Sequence, residues 1–395
     1  MITNVEERLP ELASFAKTAG VTRVANITGL DTVGIPVVLA VRPNSRSLSV
    51  SQGKGLTPPL AKISALMESL EQFHAERPRV PLTLASYREL KVQADVVDVR
   101  RLPKTPRQLD EDTRLLWTPA VEFKTGRRIN VPYELVHLDL TEPLPEGSGY
   151  FLLGSNGLAS GFDFEQALAH GAWEVVERDA ITLFYELGAK AQSARRLRLA
   201  SVDDAACHSL IRQMRAADLG VAVWDLTTDL SIATFLCSIG ERRFEPLRPV
   251  GTARGYGTHP ERAVALRRAL TEAAQSRLTR IAGSRDDIQM DEFEAVRSHA
   301  AVERQRLHVE QETFAERGFA EVPSRSFTDH AEALAWTNEK LRFTLDTSLL
   351  YVDLSPSNAP ISVVRSIVPG LEGYCGAPSY VPGERALRAR SLVAA

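Results

Sequence analysis

Apolar and polar residues alternate with two different periods along this chain. Residues 5–19 space their apolar side chains like a short amphipathic helix. Across 22–50 the pattern turns β-rich, and Ile35-Pro36-Val37-Val38-Leu39-Ala40-Val41 is its clearest strand. A Gly-containing loop follows, Ser51-Gln52-Gly53-Lys54-Gly55-Leu56-Thr57-Pro58-Pro59. Thr57 suits a helix cap and Pro58 a first turn, so a helix is predicted to about Arg77, before Pro78. Residues 79–150 read as Pro-punctuated strands and loops. A second loop, Ser155-Asn156-Gly157-Leu158-Ala159-Ser160-Gly161, feeds a helix from about Asp163 to Gly188. Strands are predicted at Val221–Asp225 and Ile232–Cys237. A third loop, Gly251-Thr252-Ala253-Arg254-Gly255-Tyr256-Gly257, opens a helix from Pro260 to Ala282. Residues 290–342 read as helical and charged, and strands return near Leu349–Leu354 and Val363–Val368. With no repeat and no linker, the mixture predicts one large α+β unit.

Each of the three helices behind a Gly loop carries acids or amides at helical spacing. Ser64, Glu68 and Glu71 stand at i, i+4 and i+7, within about 60° of one another around the axis. Glu174 and Glu177 stand at i, i+3 with Arg178 beside them, and Glu272 and Gln275 repeat that spacing before Arg277. A lone pair of this kind is ordinarily a solvated face. These acids, however, lie among Ile63, Leu66, Leu70, Trp173, Val175, Val176 and Ile181, where a carboxylate needs a partner. Hard oxygen ligands from several helices suit Mg²⁺, which also binds phosphate oxygens. Lys54 and Arg178 would then face phosphates. The pattern therefore reads as a Mg-nucleotide site built from helix-borne carboxylates.

Composition narrows the field. The 395 residues carry 47 Lys and Arg against 50 Asp and Glu, a net charge of −3, which argues against a nucleic-acid binder. Three cysteines, Cys207, Cys237 and Cys375, form no CxxC and no disulfide framework, as expected for a reducing cytoplasm. No apolar h-region marks the start, and no apolar run reaches the length of a membrane span, so a cytoplasmic protein is expected. No GxxxxGK[ST] is present, and Gly251–Gly257 lacks a GxGxxG register. Glu71 and His74 form an ExxH, half of a di-iron motif, but Glu174 and Glu272 have no His three residues on. Cys237 reads as core, Cys375 as a loop thiol, and His170 as a packing residue.

These residues together resemble the YcaO-domain family, from about Thr22 to Cys375. The resemblance rests on Ser51–Gly55 with Ser64-Ala-Leu-Met-Glu68-Ser-Leu-Glu71, Ser155–Gly161 with Glu174-Val-Val-Glu177-Arg178-Asp179-Ala180, and Ala269–Arg277 with Gly283–Asp287. Thr28–Asp31 through Ile35-Pro36, and Val368-Pro369-Gly370-Leu371-Glu372, are similar to the subgroup that works with a TfuA partner. The resemblance implies an N-terminal helical segment over 1–21, a YcaO-like domain over 22–380 and a tail over 381–395. It implies ATP and Mg²⁺ as cofactors. Ser64, Lys54, Asn156, Gln275 and Arg277 would contact the nucleotide, Glu68, Glu71, Glu174, Glu177 and Glu272 would hold Mg²⁺, and Arg178 and Gln275 would serve catalysis. The implied reaction is ATP-dependent activation of a peptide backbone amide, giving an azoline or a thioamide, in a homodimer that binds neither nucleic acid nor membrane.

Three departures stand out. The family's usual Asn and Glu after the second loop are Phe162 and Gln166 here, with Asp163 or Glu165 as possible replacements. By the resemblance, a nucleotide-binding basic residue is expected in a segment upstream of Met1, and Thr3 would match a downstream hydroxyl contact. The C-terminus, Arg388–Ala395, lacks the PxPxP ending of azoline-forming members. The last point and the TfuA-subgroup match imply thioamidation, and a non-catalytic peptide-binding scaffold is the alternative of another class.

Overall fold

The computed structural model describes residues 5–243, 250–285 and 317–394, together with 287, 300, 303, 306, 307 and 309. Thr3, Asp286 and most of the helical stretch expected from 290 to 316 lie outside the described residues.

Three antiparallel sheets organise the described chain. The first orders β1 (Arg23–Asn26), β2 (Val37–Val41) and β3 (Val50–Lys54). The largest orders β4 (Thr83–Ser86), β5 (Arg114–Glu122), β11 (Leu350–Asp353), β12 (Ser362–Ile367) and β7 (Leu158–Gly161), with β6 (Arg128–Pro132) paired to β5. The third orders β10 (Ala253–Thr258), β9 (Thr234–Glu241) and β8 (Leu219–Asp225). The α-helices whose bounds lie among the described residues are α1 (Leu9–Thr18), α2 (Pro58–Glu76), α3 (Tyr87–Gln93), α4 (Phe164–Glu186), α5 (Ala189–Ala194), α6 (Ala205–Ala216), α7 (Arg262–Ala282), α8 (His330–Leu345) and α9 (Glu384–Ala394). The α+β class is as expected, and no described helix is long and apolar enough to cross a membrane.

The three Gly-containing stretches expected as loops are largely strands: β3, β7 and β10 occupy them. Their glycines serve close packing. A Cβ on Gly53 would lie 2.0 Å from the Ala65 nitrogen of α2, and one on Gly255 would lie 2.1 Å from the Ala273 nitrogen of α7. With no side chain between them, strand and helix backbones touch.

Each long helix packs on the strand that precedes it: α2 on β3, α4 on β7, α7 on β10. Each also touches the corresponding strand of another unit, α2 on β7, α4 on β10 and α7 on β3. The contacts close a ring of three strand–helix units, and this ring positions the site. Thr57 caps α2 by accepting from Leu60 N, as predicted. α1 seats Leu12 and Ala16 in the core that also holds Ala65, Leu66 and Leu70 of α2. The C-terminal tail folds into α9, tied to α4 by Arg385 with Asp179 and Arg390 with Glu186.

Candidate active site

The ring brings acidic helix faces together. Glu68 and Glu71 from α2, Glu174 and Glu177 from α4, and Glu272 from α7 repel one another through space. Glu68 feels Glu272, Glu71 feels Glu68 and Glu174, and Glu177 feels Glu272 and Glu174. Bonds within and between units hold the faces in place. Ser160 of β7 donates to Glu71 from its backbone N (2.9 Å) and from Oγ (2.7 Å). Lys54 Nζ, from the end of β3, donates to Glu272 Oε2 at 2.6 Å, and Tyr256 N donates to Glu272 Oε1 at 3.1 Å. Gln275 Nε2 donates to the Gln52 carbonyl at 2.9 Å, and Gln52 N donates to Glu68 at 3.4 Å. Arg178 meets Glu174 at 3.5 Å and lies over the Tyr374 ring.

Five carboxylates thus share few cations, and their proton affinities show it. Burial is the main cause that pushes Glu68 up to about 7, Glu71 to about 8 and Glu177 to about 7; the neighbouring acids add to it. Burial raises Glu174 as well. Burial works most strongly against ionisation of Glu272 too, but the Lys54 ammonium, Arg178 and the Tyr256 N–H together outweigh it and hold this carboxyl below its usual range. Arg178 loses solvation, yet Glu174, Glu177 and Glu272 keep it charged above the ordinary arginine range.

The donor set fits Mg²⁺ with a nucleotide. Among the described residues no three acidic, His or Cys side chains stand ready to enclose an ion by themselves. Mg²⁺ does not require that, since it takes one or two carboxylates and completes its shell with phosphate oxygens and water. All five carboxylates are hard oxygen donors, and four have proton affinities that a divalent cation would reverse. The buried Oε1 of Gln275, on the same helix as Glu272, lacks a partner among the described residues.

A cleft of about 890 Å³ opens next to the acids, lined by Asn156, Arg178 and Glu272 with Arg254, Arg365 and Tyr374 among others. Ser64 is half-buried on α2, one turn before Glu68. Arg277 does not join the cluster. Its guanidinium bonds Asp31 at 2.9 Å and Glu241 at 2.5 Å, because five helical residues beyond Glu272 turn it about 140° away. Asp163 and Glu165 do not replace the missing ligands. Asp163 caps α4 by accepting from Gln166 N (2.7 Å), Gln166 Oε1 accepts from Phe162 N (2.7 Å), and Glu165 is exposed. Phe162 instead lies under the Arg8 guanidinium. His74 packs against Phe15 and Phe73, and burial drops it to about 4. His170 packs near Trp173 and His330.

Arg365 on β12 escaped the sequence reading. It is 1% exposed, lines the cleft, and faces the charges of Glu174 and Glu71. Its signal was a single arginine inside the apolar run 361–368, which helix spacing does not register.

The site is an α+β ring of strand–helix units with an acidic centre beside a cleft lined by several arginines. The chain belongs to the YcaO family: residues 52–372 match the model described as YcaO cyclodehydratase, ATP- and Mg²⁺-binding. ATP and Mg²⁺ are its cofactors. The chain is 34% identical over 367 residues to a protein encoded in the tfuA 3′ region of Rhizobium leguminosarum bv. trifolii, covering 92% of this chain and 85% of that one. Its fold is similar to YcaO from Methanopyrus kandleri bound with AMPPCP and Mg²⁺, with TM-score 0.72, 21% identity, and 96% and 94% of the two chains covered. It is also similar to a heterocyclase solved in complex with substrate and cofactor, with TM-score 0.72 and 20% identity. That match covers 92% of this chain, which spans about half (52%) of the heterocyclase.

Proposed function

We propose that this protein activates a backbone amide of a peptide or protein by transferring the γ-phosphoryl group of ATP to the amide oxygen, and that sulfide then replaces that oxygen to give a thioamide. The observation that carries the reading is the convergence of five carboxylates from three helices, with Lys54 and Arg178, beside a cleft that opens to solvent. An amide carbonyl is a poor electrophile until its oxygen becomes a leaving group. Phosphorylation breaks the bond between the γ-phosphate and ADP, and sulfide attack then expels phosphate, so ADP and phosphate leave with no net oxidation. Bound Mg²⁺ would offset phosphate charge between the helices. Glu68, Glu71, Glu174, Glu177 and Glu272 would hold it, Lys54 would keep Glu272 ionised, and Arg178 would stabilise the transferring phosphoryl group.

Sulfur delivery by a TfuA-like protein is supported by the tfuA neighbourhood of the Rhizobium relative. The second reading, azoline formation by a Cys, Ser or Thr side chain of the substrate, is favoured by the cyclodehydratase description of the family. Product mass separates them: a thioamide gains the difference between sulfur and oxygen, whereas an azoline loses one water. The test of the site is Mg-ATP binding by calorimetry. The double variant Glu68→Ala, Glu71→Ala is expected to lose binding while keeping its circular dichroism spectrum; unchanged binding would remove the site as drawn.

A further inference from the structure

Among the described residues, two buried side-chain atoms lack partners, on two residues that line the cleft and are joined by a hydrogen bond. Arg365 spends three contacts on backbone carbonyls: Nε on Val136 at 3.2 Å, and Nη1 on Gly154 at 2.8 Å and Asn156 at 2.9 Å. Its Nη2 has no partner among the described residues, although the residue is almost fully buried. The bond to the Asn156 carbonyl joins this guanidinium to the loop residue whose side-chain Oδ1 is also buried and without a partner among the described residues. Both residues line the cleft that holds Arg178 and Glu272.

A buried N–H or C=O without a partner is costly, and a charged donor more so. Carbonyls hold the guanidinium in place but do not neutralise it. Glu71 and Glu174 favour its charge, yet burial still lowers its proton affinity to about 10. The two residues offer one strong donor and one acceptor. Phosphate at neutral pH offers essentially acceptors only, so it satisfies Arg365 and leaves Asn156 Oδ1 facing negative oxygen. A secondary amide offers an acceptor oxygen and a donor N–H.

We infer that Arg365 and Asn156 form the docking point for the substrate's backbone amide, Arg365 Nη2 donating to the amide oxygen and Asn156 Oδ1 accepting from its N–H. This rests on the proposed reaction and moves Asn156 from the nucleotide to the acceptor substrate. It makes Arg365 a catalytic residue, because the oxygen it holds is the one that receives the phosphoryl group.

The experiment uses the full-length protein with ¹⁵N-labelled arginine, reading the Arg365 Nε–H resonance, identified by its loss in Arg365→Lys. Four probes are titrated: N-methylacetamide, N,N-dimethylacetamide, inorganic phosphate and Mg-ATP. N-methylacetamide is expected to shift the resonance saturably. N,N-dimethylacetamide, which lacks the N–H, is expected to bind about tenfold more weakly, the equivalent of one hydrogen bond. Asn156→Ala is expected to erase that difference. A response to phosphate or Mg-ATP but not to the amides would make the pair a phosphate contact and overturn the inference. Silence toward all four probes would make Arg365 a core residue and overturn it equally. If Arg365→Lys does not fold, saturation-transfer difference on wild type and Asn156→Ala gives the same comparison of the two amides. Calorimetry with Mg-ATP on the same samples keeps the outcomes separate: lost nucleotide binding defeats the proposed reaction, whereas the amide titration decides the docking point.

Discussion

Glu68, Glu71 and Glu177 take up protons near pH 7, 8 and 7, where an ordinary glutamate does so at 4.5. The unfolded chain releases those protons around its ordinary value, so between about 4.5 and 8 the folded state binds more of them. The stability these groups contribute is therefore full at the acid end of that window and falls as pH rises through it. The thermal midpoint of the Mg²⁺-free protein should decline across that range relative to a variant with Gln at all three positions. Mg-ATP should abolish the decline, and its binding should release protons, visible as a dependence of calorimetric enthalpy on buffer ionisation enthalpy. A midpoint independent of pH would place these carboxylates in open water. Lys54 acts in the opposite sense on Glu272, so Lys54→Met should shift the pH midpoint of Mg-ATP binding upward, measured by the same titration. The acids were legible in the sequence because helical spacing among apolar neighbours exposes them. Arg277 was misread because a motif shows adjacency along the chain, and five helical positions change the face.

At the scale of elements, the glycines show where local reading stops. Gly53 and Gly255 look like loop residues in sequence, since glycine weakens strands. They are strand residues because a helix backbone occupies the place of their side chains. Gly53→Ala or Gly255→Ala should cost about 3 kcal/mol or more, as overpacking against backbone that cannot yield does. Mg-ATP affinity should fall with it, because the displaced helix carries Glu68 and Glu71 or Glu272. Gly29→Ala, with open space around the added methyl, should stay within about 0.5 kcal/mol. Urea denaturation checks all three, and equal midpoints would refute the packing role. Helix starts were readable for a different reason: Thr57 and Pro58 set backbone geometry locally, and α2 begins where they predict.

For the whole molecule, the ring is held by a few bonds between units: Glu71 to Ser160, Lys54 to Glu272, Gln275 to Gln52, and Arg277 to Asp31, with Arg277 also bonded to Glu241 of β9 beneath its own helix. The last is a structural tie, with Arg277 and Asp31 nearly buried. Arg277→Met should lower stability by about 3–5 kcal/mol by stranding two carboxylates. The folded fraction should still bind Mg-ATP with unchanged stoichiometry, by calorimetry at low temperature. Loss of binding from a fully folded variant would return Arg277 to the nucleotide site.

By itself, the sequence determined which residue types the chemistry would use and on which helices they stand, because side-chain chemistry and the 3.6-residue turn act locally. Only the tertiary structure decided which of those side chains meet: the closure of three units into a ring, the opposite orientation of Arg277, the capping roles of Asp163 and Gln166, and the buried Arg365. Those outcomes depend on contacts between residues far apart in the chain, where burial and partner geometry, rather than spacing, set the energy.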